Sequence, residues 1–288
     1  LGTQGEKLTD LLELSTSGVV GFCDGKPLRQ GHLVQRLLEY TQPISFPLAL
    51  WPCDSTQGTC RDGVDAIRLG LLPLPNTAET RPLSVLLEEV VVTQRAVHIM
   101  RISTARSVEL VRDAKARGLP VTASVTWLHL LFEASDLESY APSLRLDPPV
   151  GTSADRAALI AGLEDGTLDA IAVDHCAHTY EEKAVPFAVA PPGAIGLQLA
   201  LPVLWQTFVN TGRWHPLQLW SYLSLQPSRC LGIRPPTLQP NAAANLTLFD
   251  PRQNWQATSE YLGSAAINTI YGDQTIQGQV QRIWVSQD

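Results

Sequence analysis

The stretch with the densest chemistry is Val173-Asp174-His175-Cys176-Ala177-His178-Thr179-Tyr180-Glu181-Glu182-Lys183. An apolar run leads into it, so one aspartate and two imidazoles are delivered together where a strand ends. A carboxylate there can ligate a metal or carry a proton, and an imidazole can hold an anionic substrate. The bland reading is a solvated loop whose histidines share no task. Four other strand ends carry candidates: Phe22-Cys23-Asp24-Gly25, Leu50-Trp51-Pro52-Cys53-Asp54, His98-Ile99-Met100-Arg101 and Thr126-Trp127-Leu128-His129. Cys53 has a thiolate to offer zinc, but one thiolate does not build a site. His98 lies mid-strand and reads as a satisfied core histidine. His32 and His215 open helices, and His129 reads equally as a mouth or a core residue. None of them forms a metal-spaced pair on one helix.

The elements that must position these residues follow from periodicity. Short apolar runs at residues 19–22, 47–50, 97–100, 121–125 and 170–173 read as strands. Stretches of helical period at 31–41, 79–94, 105–117, 153–164, 193–209 and 216–225 separate or follow them. In the second of these, Leu83, Leu86, Leu87, Val90 and Val91 mark one face. Such alternation predicts parallel strands with crossover helices, and unbroken apolar strands predict that both sheet faces are covered. A closed barrel needs eight strands and five are visible. A doubly wound sheet is the other arrangement, but no glycine-rich phosphate loop follows any strand. The expected fold class is therefore an α/β (β/α)8 barrel over residues 1–240. A small β-segment follows over 241–288, with strand-like runs at 246–249 and 280–285.

The formal charge of −7 argues against nucleic acid or an anionic membrane as partner. With 44% hydrophobic and 17% charged residues and no unbroken apolar run of membrane-spanning length, the sequence predicts a soluble protein. Its five cysteines are odd in number and lack C-x-x-C spacing, which predicts reduced thiols and a cytoplasmic location. Met100 is the only methionine and Leu1 the first residue, so a preceding segment supplying three strands is expected.

Around Asp174 the sequence resembles the dihydroorotase signature, Asp-His-Ala-Pro-His followed by Glu-Glu-Lys. The likeness continues through Pro186-Phe187, Ala190-Pro191-Pro192-Gly193, Gly196-Leu197 and Ala200-Leu201-Pro202. Leu163 to Asp169, Ser103-Thr104, Ser107-Val108-Glu109, Ala114-Lys115, Asn245 to Pro251, Trp255 and Asn268-Thr269 extend it over nearly the whole chain. Hydantoinases and allantoinases are close relatives, and the Glu-Glu-Lys run favours dihydroorotase.

The resemblance implies an amidohydrolase-type barrel and a zinc-dependent hydrolase of pyrimidine synthesis that opens or closes the dihydroorotate ring. In that family a histidine pair on strand one, a carboxylate or carbamylated lysine on strand four, histidines on strands five and six and an aspartate on strand eight hold the metal. The visible strands would be four to eight, with Asp24 and Asp174 as remaining metal positions and Asp174 as the catalytic carboxylate. His178, Asp147, Pro192 and Gly193 would bind substrate. The departures are specific. The strand-five histidine is replaced within Trp51-Pro52-Cys53-Asp54, Arg101 stands at the strand-six ligand position, Asp147 replaces an asparagine, and Gly151 replaces an arginine. Arginine is a permanent cation and cannot coordinate zinc. The expectation is a catalytically impaired homologue with a structural or regulatory role and no resident cofactor. A homo-oligomer and aspartate transcarbamoylase are the partners to seek. The alternative is an active zinc enzyme completed by the preceding segment, or an amidohydrolase working on another amide.

Overall fold

A computed structural model describes residues 7–27, 31–54 and 57–286. The chain divides into two compact units. The first comprises Leu1–Ser139, Asp147–Ala172 and Cys230–Ile233, and the second Tyr140–Leu146, Val173–Arg229 and Arg234–Asp288.

In the first unit the main elements are α1 (Leu11–Ser15), β1 (Phe22–Pro27), α2 (Gly31–Tyr40), β2 (Leu48–Trp51), β3 (Cys60–Arg61), α3 (Val64–Leu69), β4 (Pro73–Leu74), α4 (Thr77–Thr93), β5 (Val97–Ile99), α5 (Ala105–Ala116), β6 (Val121–Thr126), α6 (Ser153–Glu164) and β7 (Ala170–Ala172). Five of the strands form one sheet in the order β1-β2-β5-β6-β7. Every pair is parallel, with Leu48 opposite Val97, Val97 opposite Val121 and Val125 opposite Ile171. Strands succeeding one another in space as they do along the chain, each followed by a helix, are the winding of a (β/α) barrel wall. Leu48, Leu50, Val97, Ile99, Val121, Ala123, Val125 and Ile171 are buried, as unbroken apolar strands require.

The helices form for legible reasons. On α4, Leu83, Leu86, Leu87 and Val90 recur at spacings of three and four and are all buried. Thr104 caps α5 by accepting from the Ser107 amide. Thr152 and Asp155 make a reciprocal capping box on α6. Asp155 also accepts the Ala105 amide at 2.8 Å, which ties the start of α6 to the start of α5.

The structure shifts two expected elements. The strand expected at 19–22 begins at Phe22 and runs through Asp24 to Pro27, while Val20 stays 55% exposed. Pairing with Leu48 and Ala49 sets the strand, rather than the local apolar run. The helix expected from residue 193 begins at Ala200, because the Ile195 amide is given to the Asn268 carbonyl and the Gly196 and Leu197 amides to His175.

The second unit opens with α7 (Tyr180–Lys183), capped by a Thr179–Glu182 box. Helical turns at Ala200–Leu204 and Pro216–Trp220 each pass into a wider turn. Phe208 stacks on Trp214 at 4.0 Å, and Trp214 meets Tyr222 edge-on at 5.3 Å, giving this unit its aromatic core. Two long antiparallel strands, β8 (Leu246–Gln256) and β9 (Thr275–Trp284), pair with Trp255 opposite Ile276. Gly278 is required there, since a Cβ would stand 2.6 Å from the Phe249 ring. Among the described residues, no helix is long and apolar enough to cross a membrane.

Candidate functional site

In the first unit the strand ends carry the expected candidates. At the end of β2, Trp51 is 4% and Cys53 1% exposed, and Asp54 accepts from Arg81 Nε at 2.8 Å. After β5, Met100 donates its amide to Leu50 and Ile102 donates its amide to Ser124. Arg101 between them has a left-handed backbone, φ 57°, which residues with a Cβ seldom adopt. Its guanidinium lies over the Trp51 ring, 4.3 Å from the centroid. A stacked cation therefore occupies the position where the family resemblance sets a metal-binding imidazole. Cys23, at the start of β1, brings its sulfur 3.4 Å from that of Met100. The Asp24 side chain lies outside the described residues.

The structure decides His129 in favour of the core. It is 2% exposed, with Nδ1 2.6 Å from the Thr126 hydroxyl and Nε2 3.1 Å from the Pro148 carbonyl. His98 is likewise satisfied, its two nitrogens each 2.9 Å from the hydroxyls of Thr122 and Ser124. Burial lowers its pKa to about 4, so the ring is neutral at ordinary pH. Asp147 is half-buried in this unit.

The second unit holds the loop after β7. Asp174 is exposed and has a left-handed backbone, φ 50°. His175 Nδ1 accepts the amides of Gly196 and Leu197 at 3.2 and 3.4 Å, so that nitrogen carries no proton. The Cys176 amide reaches the Ala194 carbonyl at 2.9 Å. His178 Nε2 points at the Pro192 carbonyl, 3.0 Å away, and at the Cys176 sulfur, 3.4 Å away. Glu182 faces the other ring nitrogen at 3.6 Å. The Thr179 amide, reinforced by His178, holds the Glu182 carboxyl below its ordinary pKa.

The other expected substrate contacts are engaged here too. The Gly193 amide donates to the Arg145 carbonyl at 2.7 Å. The Gly193 carbonyl accepts from Asn268 Nδ2, which also binds the Cys176 carbonyl at 2.8 Å. Asn268 Oδ1 takes the His178 amide at 3.2 Å. Lys183 donates to the carbonyls of Pro142 and Pro191 at 3.0 and 2.7 Å. Burial lowers its pKa to about 8. The structure thus brings His178, Pro192 and Gly193 together on the chain segment that begins with Asp174. Asp147 and Arg101 belong to the first unit.

Asn268 and Lys183 organise the loop, a role that the motifs containing them do not announce. Asn268 stands 90 positions from His178, and no spacing links the two. Lys183 shows in the sequence as the end of the Glu-Glu-Lys run, which does not say what its ammonium holds.

Zinc, which the resemblance implies, finds no matching donor set in what is described. Among the described residues no group of three or more His, Cys, Asp or Glu could hold a metal ion. The Arg101 guanidinium has no lone pair to offer and repels a dication.

No protein-family profile matches the chain. A probable dihydroorotase-like protein of Synechocystis sp. is 44% identical over 290 residues, covering 97% of this chain and 64% of its own length. Dihydroorotases of Pelotomaculum thermopropionicum and Caldanaerobacter subterraneus are 36% and 34% identical, with 66% of each covered. Among solved structures, L-hydantoinase (dihydropyrimidinase) from Arthrobacter aurescens superposes with a TM-score of 0.84 at 20% identity, over 96% of this chain and 65% of its own. A D-hydantoinase from Thermus sp. gives 0.78 at 16% identity. The fold is the amidohydrolase (β/α)8 barrel, and the chain spans just under two thirds of the relatives it matches. Along almost its entire length the chain is similar to dihydroorotases and to a dihydroorotase-like protein, on an amidohydrolase-type barrel.

Proposed function

We propose that this is a dihydroorotase-like amidohydrolase-fold protein of pyrimidine biosynthesis that does not run metal-dependent ring hydrolysis and serves a structural or regulatory role. The observation that supports the reading is Arg101. It follows β5 in the place the resemblance gives to a ligand imidazole, and its cation is stacked on Trp51. Hydrolysis of a cyclic amide in this family depends on a metal-acidified water, which a guanidinium cannot supply. The internal engagement of His178, Pro192 and Gly193 points the same way, since substrate would have to displace those bonds.

The partner we propose is aspartate transcarbamoylase, to which a dihydroorotase-like barrel would lend its surface. Co-elution of the full chain with that enzyme tests this, and separate elution at micromolar concentrations would exclude a stable complex.

Turnover and metal content test the central reading. The full chain should hold no stoichiometric zinc and should leave dihydroorotate unchanged. Tightly bound zinc together with robust turnover would overturn it. Arg101→His alone should stay inactive, because no histidine stands among Trp51, Pro52, Cys53 and Asp54. The second reading is an active zinc dihydroorotase completed by residues from outside this sequence. What favours it is Asp174, exposed on a left-handed turn directly after a barrel strand.

A further inference from the structure

A buried ion pair sits beside the loop that carries Arg101. Arg61 on β3 and Glu79 in the first turn of α4 are 1% and 2% exposed, with Nη2 and Oε2 2.9 Å apart. A carboxylate so far from water is costly unless its remaining lone pairs find partners. For Glu79 one short segment supplies them. Ser103 gives its amide to Oε1 at 3.0 Å and its hydroxyl to Oε2, and the Thr104 hydroxyl reaches Oε1 at 3.3 Å. Arg61 Nη2 donates to the Ser103 hydroxyl as well. Thr104 then caps α5 through the Ser107 amide at 3.1 Å. Glu79 thus grips the two residues that close the loop after β5.

At the other end of the loop the Met100 amide bonds the Leu50 carbonyl at 2.9 Å and the Ile102 amide bonds the Ser124 carbonyl at 3.0 Å, with the Met100 sulfur against that of Cys23. Arg101 lies between these holds in a left-handed conformation, which persists only where the surroundings over-determine it. Without the Glu79 grip, residues 102–104 could turn and Arg101 could relax to an ordinary backbone. Its side chain would then leave the Trp51 face, because its direction follows its φ and ψ.

We infer that Glu79, backed by Arg61, is a positioning residue for Arg101, fixing loop 100–104 so that the guanidinium stays stacked on Trp51 at the carboxyl end of β5. The inference rests on the reading that Arg101 has taken the metal-ligand place. A charge that replaces a metal must be held as rigidly as the metal would have been. The competing possibility is that the ion pair only ties α4 to the start of α5, with no consequence for Arg101.

Fluorotryptophan labelling of the full chain separates the two by fluorine NMR. The sequence has seven tryptophans, and Trp51→Phe identifies the Trp51 resonance. Arg101→Ala gives the position of that resonance with the stack removed. Glu79→Gln and the milder Ser103→Ala should both move the Trp51 resonance toward that position and leave the other six in place. A lowered melting temperature with an unmoved Trp51 resonance would overturn the inference and leave a purely structural ion pair. If Glu79→Gln fails to fold, Ser103→Ala keeps the ion pair and decides by the same reading. Dihydroorotate turnover is measured separately. Activity in the full chain would end the non-hydrolytic reading without moving the resonance, and an unmoved resonance would end the positioning role without creating activity.

Discussion

His178 Nε2 lies 3.0 Å from the carbonyl oxygen of Pro192. Only a protonated ring nitrogen is attracted to a carbonyl oxygen, so Nε2 carries the hydrogen and the loop around residue 192 is pinned by an imidazole. Gly193 next to it has its own amide on Arg145 and its carbonyl on Asn268. His178, Pro192 and Gly193, which the family resemblance gives to a substrate, are in this chain engaged by hydrogen bonds within the same unit.

His178→Ala should therefore behave as a stability variant. It removes the ring contact to Pro192 and leaves the amide bond to Asn268 in place. A net loss of roughly 0.5–1.5 kcal/mol is expected, read as a lower urea midpoint at unchanged slope. An unchanged midpoint would mean that the ring does not hold the loop.

Lys183 gives a signature in alkali. It is 9% exposed, and burial lowers its pKa from 10.5 to about 8, with Arg145 adding to the effect and Cys176 and Glu182 opposing it. Between those values the unfolded chain binds the proton and the folded one does not, so this group makes stability rise with pH. The gain across pH 8 to 10.5 has an upper size of roughly 3 kcal/mol. Lys183→Met should flatten that rise in urea midpoints taken at pH 7.5, 9 and 10. An identical slope in the variant would assign the rise to other groups.

The barrel wall was legible because its strands and helices write their periods into local sequence. Leu83, Leu86, Leu87 and Val90 mark a buried face wherever α4 packs. The pair β3–β4 was not legible, since strands of two residues carry no period at all. The Asp174–Lys183 loop was found by its residue types, yet its geometry is set by Asn268 and by amides near residue 195, which no spacing rule connects to it. Residue types announce chemistry, but the hydrogen bonds that use up His178 and Gly193 exist only after folding. His129 shows the same limit, because its core role depends on a carbonyl 19 positions away.

Gly193→Ala should be far costlier than a similar change at Gly166. Both have positive φ, 121° and 80°. Gly166 has open space around the position of a new Cβ, whereas at Gly193 it would stand 2.5 Å from Cys176 Cβ. Backbone strain alone costs on the order of 1–3 kcal/mol, so Gly166→Ala should fall in that range. Gly193→Ala adds a clash with a short side chain that cannot swing aside. Calorimetric melting of the two variants checks the order, and equal losses would show that Cys176 yields easily.

The last expectation concerns acid and His98. Its ring bridges Thr122 and Ser124 on the neighbouring strand, and burial takes its pKa down to about 4, only partly offset by Asp169 and deepened by Lys115. The unfolded histidine, near pKa 6.5, takes up a proton first as pH falls. Stability from the neutral buried ring is therefore complete above pH 6.5 and is lost progressively toward pH 4, by at most roughly 3 kcal/mol. Carboxylates also begin to titrate at the lower end, so the comparison must be made against a variant. His98→Leu keeps the bulk, removes the titration and leaves two hydroxyls to find other partners. Its urea midpoint should start lower at pH 7 and decline less than the parent's between pH 6.5 and 5, where few carboxylates take part. Parallel declines over that interval would show that His98 protonates as readily in the folded chain as in the unfolded one.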